Sequence, residues 1–184
     1  MNERLEKIKQ LIDEKVKEKD FIIIAIDGNC TSGKTTLASQ LETIYDCNIF
    51  HMDDFFLQGH QRSPERFNEI GGNIDYERFM SEVLTPLKEK KPFSYQPFDC
   101  STFSLSDAIK VTPKQINIIE GTYSLHKHFG NIYDLKILLT ISKELQKERI
   151  LKRPSFLHNK FFNEWIPMED KYFKSLNTTI DLIL

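Results

Sequence analysis

The sequence predicts an α/β fold of three layers, in which helices cover both faces of a central, mainly parallel five-stranded sheet. An apolar, β-branched segment, Phe21 to Asp27, has the composition of a strand that is buried on both faces. It runs directly into a glycine-rich turn, after which residues 35–41 show the spacing of a helix. Later strand-like segments lie at 48–52, 116–121, 134–141 and 178–184.

The turn after the first predicted strand satisfies the phosphate-loop pattern of glycine, four residues, glycine, lysine, and serine or threonine. Gly28 and Gly33 permit backbone conformations that let main-chain N–H groups approach phosphate oxygens. The helix that follows points further N–H groups and its positive dipole end at the same anion. The predicted nucleotide-binding residues are Gly28, Asn29, Cys30, Thr31, Ser32, Gly33, Lys34, Thr35 and Thr36. This motif in this context predicts a P-loop NTPase fold with a small lid.

Two residues of the loop have specific predicted tasks. We expect Lys34 to reach the β- and γ-phosphates of a nucleoside triphosphate. The hydroxyl of Thr35 is expected to ligate Mg²⁺, which the protein and the nucleotide hold jointly.

Carboxylates follow two of the predicted strands. Asp53 and Asp54 follow the second strand, and Glu120 lies near the end of the strand at 116–121. Ligands of open α/β sheets gather at the carboxyl ends of strands, so these acids are expected beside the phosphate loop. Since neighbouring side chains of extended backbone point apart, one aspartate should face the substrate while the other anchors the loop or a metal-bound water. Two solvated turn aspartates are the alternative. Glu120 is predicted to approach Mg²⁺, directly or through water.

A basic helix is predicted around Ser142 to Lys152. It ends near Arg149 and Arg153, and the region of about 149–165 is expected to form the lid. These arginines either belong to a solvated face or neutralise charge on a transferring phosphoryl group.

Size and composition indicate one domain over residues 1–184 and a small-molecule partner. The formal charge of −2 argues against broad nucleic-acid or anionic-membrane binding. The charged N-terminus lacks a secretory core, and three cysteines without metal-ligand spacing fit a reducing compartment, so we expect a cytoplasmic protein. Cys30 is either a redox-sensitive thiol of lowered pKa or a small loop residue.

The N-terminal segment, 1–19, contains a predicted amphipathic helix over residues 3–19. Its apolar stripe either covers the sheet or forms a dimer contact, which leaves a homo-oligomer open.

Together these features predict transfer of the γ-phosphoryl group of ATP to a hydroxyl of a small acceptor. In this hypothesis Asp53 accepts the proton of the acceptor hydroxyl. Lys34 and Arg149 or Arg153 stabilise the γ-phosphate, and Thr35 with Glu120 organises Mg²⁺.

Four segments carry a resemblance to a known family: GNCTSGKTTLA, HMDDFF, the aromatic segment that ends in PFDC, and IIEG. In this order they resemble the uridine kinase and phosphoribulokinase superfamily of P-loop kinases, which includes nicotinamide riboside kinases. The likeness runs from about Phe21 to Arg153, and the acidic-aromatic segment and the Glu-Gly strand end make it more specific than the phosphate loop alone.

The resemblance implies a nucleoside-like acceptor. It places Asp53, with Asp54 beside it, near the attacking 5′ hydroxyl, Asp75 on the other ribose hydroxyls and Glu120 near the metal. Phe98 corresponds to the Tyr of a Tyr-Asp-Phe motif beside the base. Phe103 stands where uridine kinases have a His that reads the pyrimidine edge, and a Phe ring stacks there without hydrogen-bonding.

Other functions remain open from the sequence. The chain could act on a non-nucleoside alcohol or a nucleoside monophosphate, for which Arg62, Arg66 and Arg78 are candidate phosphate contacts. A nucleotide-dependent switch without transfer is a further alternative, although the guanine motif Asn-Lys-x-Asp is absent from the sequence.

Overall fold

Five strands pair in parallel to form the main sheet of the computed structural model, which describes residues 3–184. Their order across the sheet is β2-β7-β1-β8-β9, and two short antiparallel pairs, β3-β6 and β4-β5, lie outside it. The strands are β1 (Ile22–Gly28), β2 (Cys47–His51), β3 (Phe93–Tyr95), β4 (Phe98–Asp99), β5 (Ser104–Leu105), β6 (Ile109–Val111), β7 (Ile116–Glu120), β8 (Leu135–Leu139) and β9 (Leu182–Ile183). The predicted sheet is therefore confirmed.

Helices cover both faces of this sheet, as predicted for three layers. They are α1 (Glu3–Glu18), α2 (Lys34–Glu42), α3 (Pro64–Asn68), α4 (Tyr76–Phe79), α5 (Thr85–Lys88), α6 (Lys143–Leu151), α7 (His158–Lys160) and α8 (Ile166–Ser175). A π-helical turn joins α4 to α5, and another joins α7 to α8. None of the helices formed by residues 3–184 combines the length and apolar character needed to cross a membrane.

The two faces of β1 belong to different hydrophobic cores. All seven residues of the strand are buried, as a central strand covered on both sides requires. Ile22, Ile24 and Ile26 face the core that contains α1 and α2. Ile23 and Ala25 face an aromatic core that includes residues of α4, of the turn after it and of α8.

Helix α1 covers the first of these cores. Leu5, Ile8 and Ile12 are buried against the apolar side chains of β1, β7 and β8. The helix occupies Glu3–Glu18, close to the predicted bounds, while Met1 and Asn2 of the predicted N-terminal segment lie outside the described residues. The stripe therefore packs on the sheet, as the first of the two interpretations expects.

The backbone after β2 differs from the prediction. The strand ends at His51, and Met52–Phe55 forms a 3₁₀-helical turn. Asp53 and Asp54 therefore do not alternate along extended backbone, and the argument that they must point in opposite directions does not apply to them. The last strand is also shorter than predicted, since only Leu182–Ile183 pairs with β8.

Truncating the buried stripe of α1 tests this packing. Ile12→Ala removes a side chain of 0% exposure, so we expect the free energy of unfolding to fall by about 2–5 kcal/mol. Chemical denaturation followed by circular dichroism measures this loss. The exposed Lys17→Ala on the same helix is the control, and an equal effect of both variants would contradict the assignment.

Candidate active site

The phosphate loop follows β1 and begins the site at the carboxyl edge of the sheet. Two of its glycines are needed for their backbone conformation, with φ of 149° at Gly28 and 101° at Gly33. A Cβ on Gly28 would also lie 2.2 Å from the carbonyl oxygen of Leu139 in β8. Gly33 is the residue that precedes α2, so the loop passes directly into the helix as predicted.

Lys34 lies over this loop and is 8% exposed. Its Nζ donates hydrogen bonds of 2.8 Å to the carbonyl oxygens of Gly28 and Asn29. A second donor, the hydroxyl of Thr122, reaches the Gly28 carbonyl at 2.9 Å. The ammonium group is therefore held at the loop by main-chain oxygens.

Two hydroxyl groups of the loop have no internal partner. The side-chain oxygens of Thr31 and Ser32 are buried, and neither forms a hydrogen bond within residues 3–184. Buried hydroxyl groups are normally paired, because leaving them unpaired costs free energy. Unpaired donors beside Lys34 and a helix N-terminus suit a ligand rich in anionic oxygens, such as the triphosphate of a nucleotide.

Thr35 and Glu120, the two residues assigned to Mg²⁺ from the sequence, are in contact beside the loop. The Thr35 hydroxyl donates to Oε1 of Glu120 at 3.0 Å, and Glu120 ends β7 with 3% exposure. Gly121 then allows a close approach, since a Cβ there would lie 2.6 Å from Cβ of Met52. Hydroxyl and carboxylate oxygens are donors that Mg²⁺ accepts.

These residues fit a magnesium site in which the protein supplies few of the metal ligands. Within the described part of the chain, no group of three or more His, Cys, Asp or Glu side chains is arranged to hold a metal. Mg²⁺ beside nucleotides usually takes one or two carboxylates, with phosphate and water oxygens as its other ligands.

His51 is a neighbour of Glu120 that the sequence interpretation did not assign to the site. Its Nδ1 lies 2.6 Å from Oε1 of Glu120, and the two residues are register partners in β2 and β7. The hydrogen bond to Glu120 raises the pKa of His51 despite its partial burial. Its position at the end of β2, two residues before Asp53, was the available signal in the sequence.

Asp53 and Asp54 have different surroundings. Asp53 is exposed, and its carboxylate accepts no hydrogen bond from residues 3–184, yet its pKa is raised by desolvation and then by Glu120, while Lys34 lowers it. The carboxylate is therefore accessible to solvent although protein atoms surround it closely enough to desolvate it. The half-buried Asp54 accepts a hydrogen bond of 3.4 Å from the Tyr95 hydroxyl. Asp53 is thus open to solvent, while the Tyr95 hydroxyl holds Asp54. This difference arises within a 3₁₀ turn and not from alternation along a strand.

Asp75 is held by internal partners. It is 2% exposed and caps α4 by accepting the Arg78 backbone N–H at 3.0 Å. Its other carboxylate oxygen accepts a hydrogen bond of 2.8 Å from Gln61. Its assignment to ribose hydroxyls stays a prediction.

Phe98 and Phe103 come together next to β4 and β5. Their ring centroids are 5.4 Å apart in an edge-to-face arrangement. Phe98 is 5% exposed, while Phe103 is 50% exposed and has a left-handed φ of 58°. The pair forms a wall with one buried and one open ring.

The two predicted arginines differ in position. Nη1 of Arg149, on α6, donates to the carbonyl oxygen of Thr31 at 2.7 Å, so Arg149 reaches the phosphate loop. Arg153 follows the end of that helix, and its side chain makes no hydrogen bond or ion pair within residues 3–184. The segment predicted as a lid contains a 3₁₀ turn, Ser155–Leu157, and α7.

The sequence interpretation missed how α6 and α8 hold the outside of the phosphate loop. Glu169 of α8 is 4% exposed and accepts the Cys30 backbone N–H at 3.0 Å. One turn later, the Tyr172 hydroxyl donates at 2.5 Å to Asp27, whose carboxylate also accepts the Gly28 N–H. Only Asp27 carried a sequence signal, as an acid at the end of a buried strand.

Cys30 is not an activated thiol in this structure. Burial and the neighbouring Glu169 raise its pKa to about 12, and the thiol lies 3.2 Å from Nε2 of Gln146. The interpretation of Cys30 as a small loop residue is favoured over a redox-sensitive thiolate.

The loop, the buried lysine and the hydroxyl–carboxylate pair together define a nucleotide site of the P-loop type.

No protein-family model matches the sequence. Curated relatives include a uridine kinase of Ureaplasma parvum serovar 3, 26% identical over 136 residues, with 68% of this chain and 65% of that enzyme covered. A uridine kinase of Geobacillus kaustophilus is 24% identical over 184 residues, with 90% and 86% covered. The chain thus spans less than two thirds of the Ureaplasma enzyme.

A solved structure from Silicibacter sp. TM1040, assigned as a fructose transport system kinase, has the same fold. It aligns with a TM-score of 0.78 and 20% identity, and covers 100% of this chain and 99% of that chain. The comparisons confirm the resemblance to the uridine kinase and phosphoribulokinase superfamily of P-loop kinases.

The state of Cys30 can be tested by alkylation. At pH 8 a pKa of about 12 leaves a thiolate fraction of about 10⁻⁴, so we expect iodoacetamide to modify the exposed Cys100 at least about tenfold faster than Cys30. Peptide mass spectrometry over time measures both rates. Cys100→Ser isolates the slow reaction, and rapid labelling of Cys30 in that variant would contradict the assignment.

Proposed function

We propose that this chain is an ATP-dependent small-molecule kinase that transfers the γ-phosphoryl group to a hydroxyl of a nucleoside-like acceptor. The observation that carries the proposal is the open Asp53 carboxylate in the same site as the phosphate loop, within electrostatic range of Lys34 and Glu120. A kinase needs an acceptor-facing base beside a phosphate cradle.

The phosphate loop binds the donor in this proposal. Main-chain N–H groups of the loop and of the first turn of α2 bind the phosphates, and the unpaired hydroxyls of Thr31 and Ser32 gain partners. Lys34 exchanges its carbonyl partners for the β- and γ-phosphates. Arg149, already at the loop, and Arg153 neutralise charge that develops on the transferred group.

Thr35 and Glu120 would hold Mg²⁺, which supplies charge neutralisation between the β- and γ-phosphates when bound. Thr35 would contribute its hydroxyl oxygen and Glu120 its carboxylate, directly or through water. His51 positions Glu120 by their hydrogen bond.

Asp53 accepts the proton of the acceptor hydroxyl as the new O–P bond forms, while the bond from the γ-phosphorus to the β–γ bridging oxygen breaks and ADP leaves. Its desolvated setting raises its pKa and makes it a stronger base than a fully solvated aspartate. Phe98 and Phe103 bound the acceptor, Asp54 anchors the turn that carries Asp53, and the segment 149–165 acts as the lid.

The nucleoside-like acceptor rests on the resemblance to uridine kinases, and Phe103 argues against uridine itself. A kinase for another small alcohol is the second candidate, supported by the same fold in a structure described as a fructose transport system kinase.

Replacing the proposed base tests its role. Asp53→Asn keeps the shape but removes the charge, so we expect kcat to fall by about 10²–10⁴-fold while the Kd for ATP stays nearly unchanged. Coupled ADP release and calorimetry give the two values. Asp107→Asn, at an exposed position, is the matched control. Full turnover of Asp53→Asn would remove its catalytic role.

An acceptor screen tests the proposed class. We expect ADP release with Mg²⁺ and ATP to depend on one acceptor among nucleosides, nicotinamide riboside, pantothenate and sugar alcohols. ATP binding without acceptor-dependent release from any of them would favour a nucleotide-dependent switch.

A further inference from the structure

Arg62, Arg66 and Arg78 are the arginines considered for contact with an acceptor phosphate, and acids already neutralise two of them. Arg66 donates two hydrogen bonds to Glu77, at 2.7 and 2.6 Å. Arg78 is 8% exposed and forms ion pairs with Asp75 and Glu82 at 3.5 and 3.3 Å. Both arginines therefore stabilise the fold around α4 and are not free to bind an acceptor.

Arg62 is different. It is exposed and forms no ion pair within residues 3–184. Its Nε donates at 3.0 Å to the carbonyl oxygen of Leu57, and no further hydrogen bond of the described residues uses its two terminal nitrogens. Those nitrogens form the fork that binds carboxylate or phosphate through two hydrogen bonds.

The aromatic wall fixes this guanidinium in place. Its central carbon lies 4.2 Å from the ring centroid of Phe103 and 5.8 Å from that of Phe98. Stacking on an aromatic face holds the guanidinium while leaving its N–H edge available. Phe103, with its left-handed backbone and half-exposed ring, therefore holds the guanidinium at the open side of the wall.

The aromatic wall that holds this cation packs against the turn of the proposed base. Strand β4, which contains Phe98, packs against the Met52–Phe55 turn that carries Asp53. Cys100 is near both charges: burial and then Asp53 raise its pKa, while Arg62 and Lys160 lower it. Asp53 and two cations without ion-pair partners in the described chain, Arg62 and Lys160, thus lie within electrostatic range of the same thiol.

We propose that the acceptor is an anionic alcohol, whose carboxylate or phosphate pairs with the fork of Arg62 while its hydroxyl faces Asp53. The inference rests on the proposed kinase function and makes Arg62 the residue that selects the acceptor by charge. A neutral acceptor of the same shape would leave the guanidinium without a partner.

Matched acceptors that differ in charge test this proposal. The pairs are pantothenate with panthenol and ribose 5-phosphate with ribose. We expect an anionic member to bind more tightly by calorimetry, in the presence of Mg²⁺ and a non-hydrolysable ATP analogue, and to give the higher kcat/KM for ADP release. The first pair identifies carboxylate recognition and the second identifies phosphate recognition.

Substitutions of Arg62 complete the experiment. Arg62→Ala should weaken binding of the preferred anion by about 10- to 100-fold, without changing the Kd for the ATP analogue. Arg62→Lys should restore part of the loss, and Lys110→Ala, at an exposed position on β6, is the control. Because each variant is judged by its ratio of anionic to neutral acceptor, a general loss of stability does not mimic the result.

Three outcomes overturn the proposal: neutral members bind as well as their anionic partners, neither member of any pair binds, or the anionic preference survives Arg62→Ala. Arg62-dependent binding without ADP release would instead contradict the kinase function and leave the anion contact of Arg62 standing.

Discussion

Burial of the Lys34 ammonium group at the carboxyl edge of the sheet is the interaction on which the site depends. The charge is 8% exposed, and carbonyl oxygens of its own loop accept its hydrogen bonds. It also lowers the pKa values of Asp27, Asp53 and Glu169, all of which burial raises. One cation therefore offsets acids from three different parts of the chain, and the parallel strand order brings them within its range.

The sequence was most informative where function depends on a local pattern. The phosphate loop, β1 and α2 are contiguous, so glycine spacing and apolar periodicity were sufficient to predict them. Glu120 could be placed because a carboxylate at the end of a buried strand has few structural uses. Its contact with Thr35 then followed from parallel pairing between β1 and β7.

Prediction failed where position depends on packing between distant segments. The Met52–Phe55 turn takes a helical form that no local breaker in HMDDFF required. From the sequence, Glu169 and Tyr172 could not be told from ordinary residues of an amphipathic helix. Their partners, Cys30 and Asp27, lie far away in the sequence, in and next to the phosphate loop. Arg62, Arg66 and Arg78 were equivalent in sequence, and only the positions of neighbouring acids separate them.

The contacts of α8 with the phosphate loop also bear on how the molecule is assembled. Cys30 and Glu169 are 139 positions apart, and Asp27 and Tyr172 are 145 apart. Contacts of such long range form late, because the intervening chain must first be ordered. During synthesis the glycine-rich motif is thus made long before α8, whose Glu169 and Tyr172 hold it. Nucleotide affinity should therefore arise only when α8 has been made and has packed against the loop.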